Sequence, residues 1–179
     1  MRRSFRLLAL AVAVAAPLRA QGPFIVDVHN DLSEVQQKMV ALAKAIPESA
    51  YGWRPGAGVR SVSEVFIHIA SENYQIPAFM GAAAPAATGI TTDFSSADAF
   101  VKKTRTKEQV VADLEASFQH AHQALHVNTD QNLGEKIKMF GADFTRQKAM
   151  ILFITHIHEH LGQMIAYARS NNVVPPWSK

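Results

Sequence analysis

The chain has 179 residues, a formal charge of +3 and no cysteine. That length suits one compact core, and the missing cysteines exclude disulfides, a protein thiol nucleophile and thiolate metal ligands. Any metal site must be built from histidine, carboxylate and water.

In chain order, the first twenty residues stand apart. Arg2, Arg3 and Arg6 form a basic start, Leu7 to Ala16 an apolar run, and Pro17 leads into Leu18-Arg19-Ala20 with its small final residue. This is the order of a secretory signal peptide over residues 1–20, leaving 21–179 as the mature domain. The apolar run is too short to anchor in a bilayer, which takes about 20 apolar residues, so no membrane span is expected after removal. Export to the periplasm or beyond follows, by a Sec-type signal; Arg2-Arg3-Ser4-Phe5 also partly resembles a twin-arginine signal. Losing Arg2, Arg3, Arg6 and Arg19 takes the formal charge from +3 to −1. The remaining cations are scattered among acids, which argues against nucleic acid as a partner.

The mature chain has few alternating β-branched runs and reads as all-α. A first helix is expected over about 27–46, with Leu32, Val35, Met39, Leu42 and Ile46 on one side and Pro47 ending it. After a Gly/Pro-rich loop, Ser61-Val62-Ser63-Glu64 has the form of a capping box, which makes Glu64 a cap and not a catalytic acid. The second helix runs to about Met80. Residues 81–105 form a connection long enough to cross a bundle, permitting helices two and three to run parallel. Thr106-Lys107-Glu108-Gln109 opens a third helix to about Val127, striped by Val110, Leu114, Phe118, Ala121 and Leu125. A fourth covers about 145–170, carrying Ile154, Ile157, Leu161, Met164 and Ala168, and stops at Asn171-Asn172 before Pro175-Pro176. Four apolar stripes make a four-helix bundle with a long crossover between helices two and three.

Histidine carries the chemistry. On the fourth helix, His156 and His160 are four apart and share a face, while His158 points elsewhere. Two imidazoles at that spacing can hold one transition metal, and the flanking Ile157 and Leu161 put them at the core's border. His68, between Ile67 and Ile69 on the second helix, is a third candidate that a neighbouring helix can bring to the pair. Glu72, one turn beyond His68, and Gln163, three residues after His160, are placed to orient a ligand. His122 and His126, with His120 nearby, offer a competing pair among polar neighbours and suggest a solvated edge. His29 reads as structural or exposed. Spacing alone does not rank the two pairs.

The segment Ser61-Val62-Ser63-Glu64-Val65-Phe66-Ile67-His68-Ile69-Ala70 resembles the second-helix signature of the DinB/YfiT-like family. So do His156-Ile157-His158-Glu159-His160-Leu161-Gly162-Gln163, the following Tyr167-Ala168-Arg169 and Val173-Val174-Pro175-Pro176, and the loop Tyr51-Gly52-Trp53-Arg54-Pro55. The resemblance spans most of residues 25–177. It implies a four-helix bundle with a long second connection and a divalent metal held by three histidines, which fall here on His68, His156 and His160. Leu161 stands where the family often has arginine and Asn171-Asn172 where a glycine is common; neither change removes a ligand.

A divalent transition metal, zinc or nickel, is the expected cofactor. The expected function is metal-dependent hydrolysis of a small molecule. The alternatives are a binding protein without turnover, a structural metal site, or a thiol-dependent transferase as in some relatives; export disfavours the last, because the thiols used are chiefly cytosolic. A homodimer through exposed helix faces is compatible with the pattern.

Overall fold

A computed structural model describes residues 22–178. The signal peptide expected over residues 1–20 lies outside the described residues. Among the described residues there are five α-helices: α1 (Pro23–Ala45), α2 (Val62–Phe79), α3 (Phe94–Val101), α4 (Lys107–Leu125) and α5 (Arg146–Ser170). The long ones, α1, α2, α4 and α5, are the four of the bundle; α3 is a short helix inside the long connection. No helix among the described residues is long and apolar enough to cross a membrane.

Both capping boxes form. At α2, Ser61 N–H donates to Glu64 Oε2 (2.6 Å) while Glu64 N–H donates to Ser61 Oγ (3.3 Å). Thr106 and Gln109 repeat the exchange at α4. At the far end of α5, Asn172 adopts φ +60°, the left-handed conformation expected of a helix stop. The predicted stripes are buried, apart from one position of α5, and Phe66, Phe118 and Phe153 are fully enclosed in the core. Ile154, expected in the stripe of α5, is only half-buried, and its neighbour Phe153 takes the core position.

The α1 helix starts at Pro23, four residues before the expected Asp27. Pro23 suits the first helical turn because its missing N–H is not needed there. Gly22 supplies no capping side chain; instead Asp130, from the loop after α4, accepts from Phe24 N–H and Ile25 N–H (3.2 Å each). A Cβ at Gly22 would overlap that carboxylate. Asp130→Ala is therefore expected to lower stability by about 1–2 kcal/mol, the usual worth of a helix cap, measured as a lower urea midpoint at unchanged slope.

These end contacts also fix the topology. Lys107 Nζ, at the start of α4, donates to Lys44 O and Ile46 O at the end of α1 (2.9 and 2.7 Å), while Asp130 ties the end of α4 to the start of α1. Arg146, opening α5, donates to Met80 O beyond α2 (2.6 Å) and to Asn128 Oδ1 beyond α4 (3.1 Å). The ends of α2 and α4 thus meet the starts of α1 and α5, so α2 and α4 run parallel. The connection over residues 80–106 returns the length of the bundle. Each of α1 and α2 packs against both α4 and α5. Midway along, Asn73 Nδ2 donates to Ser117 Oγ (3.0 Å), a buried polar tie between the parallel helices.

Two features depart from the sequence expectation. The crossover contains α3, capped by Asp93, whose side chain accepts from Ser95 N–H (2.9 Å), and packed through Ala97 and Phe100. Between α4 and α5 lies a β-hairpin, β1 (Lys136–Met139) against β2 (Ala142–Thr145), in register from Lys136↔Thr145 to Met139↔Ala142. Its two-residue turn is Phe140-Gly141, both with positive φ (54° and 76°). Such turns normally carry Asn-Gly or Asp-Gly, so a phenylalanine there concealed the hairpin.

Candidate metal centre

The centre lies on the seam between the antiparallel helices α2 and α5. His68 faces it from α2, and His156 and His160, one turn apart, face it from α5. Ile67, Ile69, Ile157 and Leu161 are buried beside them and hold both helix faces against the core. One ligand atom from each histidine lies within 4.8 Å of the others. Ring centroids are 5.5 Å (His68–His156), 4.9 Å (His68–His160) and 4.5 Å (His156–His160) apart, with ring planes nearly perpendicular.

Hydrogen bonding decides which nitrogens are available. Gln163 Oε1 can only accept, so the 2.8 Å contact fixes the hydrogen of His160 on Nδ1 and leaves the Nε2 lone pair free. Gln163 Nε2 in turn donates to Tyr167 Oη (3.0 Å), and Tyr167 Oη–H donates to Arg60 O (3.1 Å). This relay ties α5 to the residue before the α2 cap. The Nε2 atoms of His156 and His160 are buried without a hydrogen-bond partner. Two such orphans at one spot would be costly unless a metal accepts their lone pairs.

The electrostatics keep those lone pairs available. Burial pushes the His68 pKa down to about 3, with the charge of Arg60 and the other two imidazoles adding to it. Burial also lowers His156, helped by His160 and Arg60 and opposed by Glu159. It lowers His160 too, where Gln163 opposes and Arg60 assists. Neutral imidazole is the metal-binding form. Glu72 Oε1 lies 3.9 Å from His68 Nδ1 and Glu159 Oε2 3.9 Å from His156 Nδ1, beyond hydrogen-bond range but flanking the cluster with carboxylates. Burial raises the Glu72 carboxyl, and Arg60 opposes that shift.

The remaining histidines go elsewhere. His158 pairs with Asp31 on the opposite side of α5 (2.9 Å). His122 is half-buried and not on a solvated edge: it turns toward α1, with Nδ1 3.2 Å from His29 Nε2 and Nε2 2.7 Å from Gln36 Oε1. His29 is accordingly a structural partner. The His126 ring lies 6.3 Å from that of His29, and among the described residues these histidines form no three-ligand cluster.

Two cavities bear on access. One, about 660 Å³, lies between the loop before α2 and the end of α3, and none of the three histidines lines it. A smaller one, about 350 Å³, reaches His156 and Glu72 and is closed on one side by Phe140 of the hairpin turn. Three contributors were not found in the sequence: Tyr167, Arg60 and Phe140. The i,i+4 spacing of Gln163 and Tyr167 was a usable signal for the first; the other two arrive through tertiary contacts alone.

Similar architecture occurs in solved structures. A DinB-like protein from Bacillus cereus ATCC 10987 superposes with a TM-score of 0.67 at 17% identity, covering 86% of this chain and 93% of that one. A DinB-like protein from Bacillus subtilis gives 0.63 at 17% identity over 82% and 92%. YfiT from Bacillus subtilis, described as a probable metal-dependent hydrolase with an unusual four-helix bundle topology, gives 0.66 at 17% identity over 89% and 94%. At this identity the likeness concerns the fold. No protein with a curated description matches the sequence. Residues 31–164, which include all three converging histidines, match the DinB superfamily, and the chain belongs to that superfamily.

Proposed function

We propose that the protein is a metal-dependent hydrolase of a small molecule, with His68, His156 and His160 holding a divalent metal, zinc or nickel. The observation that carries this reading is the pair of buried, unpartnered Nε2 atoms beside a third neutral imidazole, one of them fixed in its tautomer by Gln163. Three protein ligands leave room for water and substrate, the arrangement of catalytic sites. A bound divalent metal would supply Lewis acidity toward a substrate carbonyl or phosphoryl group and toward water.

The chain's own residues orient and shield. Gln163 and Tyr167 hold His160 against rotation, while the Glu72 carboxylate flanks His68. Ile76 and Leu152 line the adjoining cavity and limit water around the reacting group. The description of YfiT as a probable metal-dependent hydrolase supports the choice of reaction class. The signal-like residues 1–20 support placing this activity outside the cytoplasm, where water is the available acceptor and the thiols of a transferase are scarce.

The test is elemental analysis of the purified protein followed by a screen of ester, amide and phosphoester substrates, before and after chelation. One divalent ion per chain and a hydrolysis that chelator abolishes and metal restores is the expected result. A stoichiometric ion with no hydrolysis would favour ligand binding without turnover. Absence of metal at saturating zinc and nickel would sink the reading.

A further inference from the structure

We propose that the cavity beside the three histidines receives an apolar arm of the substrate, and that Phe140 is a specificity-determining residue for it. This rests on the metal-site reading above and extends it to the class of substrate. The cavity shares His156 with the histidine cluster and is lined by Glu72, the neighbour of His68, so a molecule held at the cluster can extend into it. Ile76 on α2, Leu152 on α5 and Phe140 on the hairpin form its apolar wall. Its volume, about 350 Å³, is at the small end for ligand sites and suits an aryl or short acyl group. The charged groups lining it, Glu72 and Glu159, are both acidic. An arm carrying its own negative charge is therefore disfavoured, and the compounds expected are neutral or cationic aryl and acyl derivatives.

Phe140 is an unusual choice for its position. A bulky residue at φ +54° is an outlier, and the turn would form more readily with asparagine. A residue held in a disfavoured conformation beside the proposed metal centre points to function. Phe140 as a whole residue is 37% exposed. It is braced by Phe79 (5.4 Å between centroids) and Phe94 (5.2 Å, stacked). Phe79 of α2 and Phe94 of the crossover thus back Phe140, the aromatic ring that lines the cavity.

The experiment compares metal-chelating probes that differ only in the arm. Binding of acetohydroxamate, benzohydroxamate and 4-carboxybenzohydroxamate to zinc-loaded protein is measured by titration calorimetry. Benzohydroxamate should bind at least about tenfold more tightly than acetohydroxamate, because it buries more apolar area, and the carboxylated probe more weakly than benzohydroxamate. Phe140→Asn, which keeps the turn's backbone preference, should reduce the aryl preference to within about threefold and leave acetohydroxamate unchanged. Leu152→Ala, which trims the α5 part of the wall, should reduce it independently of the hairpin. Equal affinities for the two neutral-armed probes, or a preference that survives both substitutions, would overturn the subsite. Failure of acetohydroxamate itself to bind zinc-loaded protein would instead overturn the open metal centre on which the subsite depends.

Discussion

Replacing His160 with alanine is expected to strip the protein of its metal while leaving the bundle folded. His160 contributes one of the two buried orphan Nε2 atoms, and its other nitrogen is the only link from the ring to the Gln163–Tyr167 relay. Removing an orienting partner of a metal-bound histidine typically costs 10- to 100-fold in affinity, so loss of the ligand itself should exceed about 100-fold. Gln163→Leu should fall within that smaller range, because the imidazole remains but its tautomer and rotation are released. The helix should survive, since alanine is a better helix former than histidine and the neighbouring core residues Ile157, Leu161 and Met164 are untouched. His122→Ala provides the contrast: its ring bonds His29 and Gln36, away from the centre, and its loss should leave metal stoichiometry unchanged. Metal content by mass spectrometry, with helicity by circular dichroism, reads all three. Equal metal in wild type and His160→Ala would refute the assignment.

The parts of this molecule legible in the sequence are those written locally. The capping boxes at Ser61 and Thr106 and the stripes Val110–Leu125 and Ile157–Ala168 depend on spacing within one helix, and they form as read. The i,i+4 pair His156 and His160 is of the same kind. Spacing could not choose between that pair and His122 with His126, because the difference lies in what faces each from another helix: His68 in one case, His29 and Gln36 in the other. Family resemblance made the choice that geometry within one helix could not. What escaped was built from distant contacts. Pro23 opens α1 because Asp130, more than a hundred residues later, caps it. The hairpin was hidden by Phe140, whose side chain contradicts its turn and fits its cavity. Arg60 enters the electrostatics of the centre from the loop before α2, whose approach to α5 no spacing within one helix reveals.

Acidification should destabilise the metal-free protein between pH 6.5 and 5, and the same three histidines are the main reason. His68, His156 and His160 all have folded pKa values depressed chiefly by burial, as do His120 and His122. Above the ordinary histidine value both folded and unfolded chains are neutral there, and pH has little effect. As pH falls below about 6.5 the unfolded chain takes up protons that the folded chain refuses, so stability is lost until the folded values are reached. For His68, whose folded pKa is about 3, the loss accumulated by pH 5 is about 2 kcal/mol. Glu72 acts in the opposite direction, because its raised carboxyl is protonated more readily in the folded state, but only once the pH approaches its own range. The nearby charge of Arg60 opposes protonation of all three histidines. Zinc should raise the melting temperature at pH 7.5 and make its decline steeper, since protons then compete with the ion for the same nitrogens. His68→Leu fills the same buried position without a titrating group, so the metal-free variant should be less sensitive to acid than wild type while binding metal poorly. Melting temperatures across pH 4–8, with chelator and with zinc, test this; a metal-free wild type whose melting point holds level from pH 7 to 5 would show that the imidazoles are solvated and the centre is not the buried, neutral cluster described here.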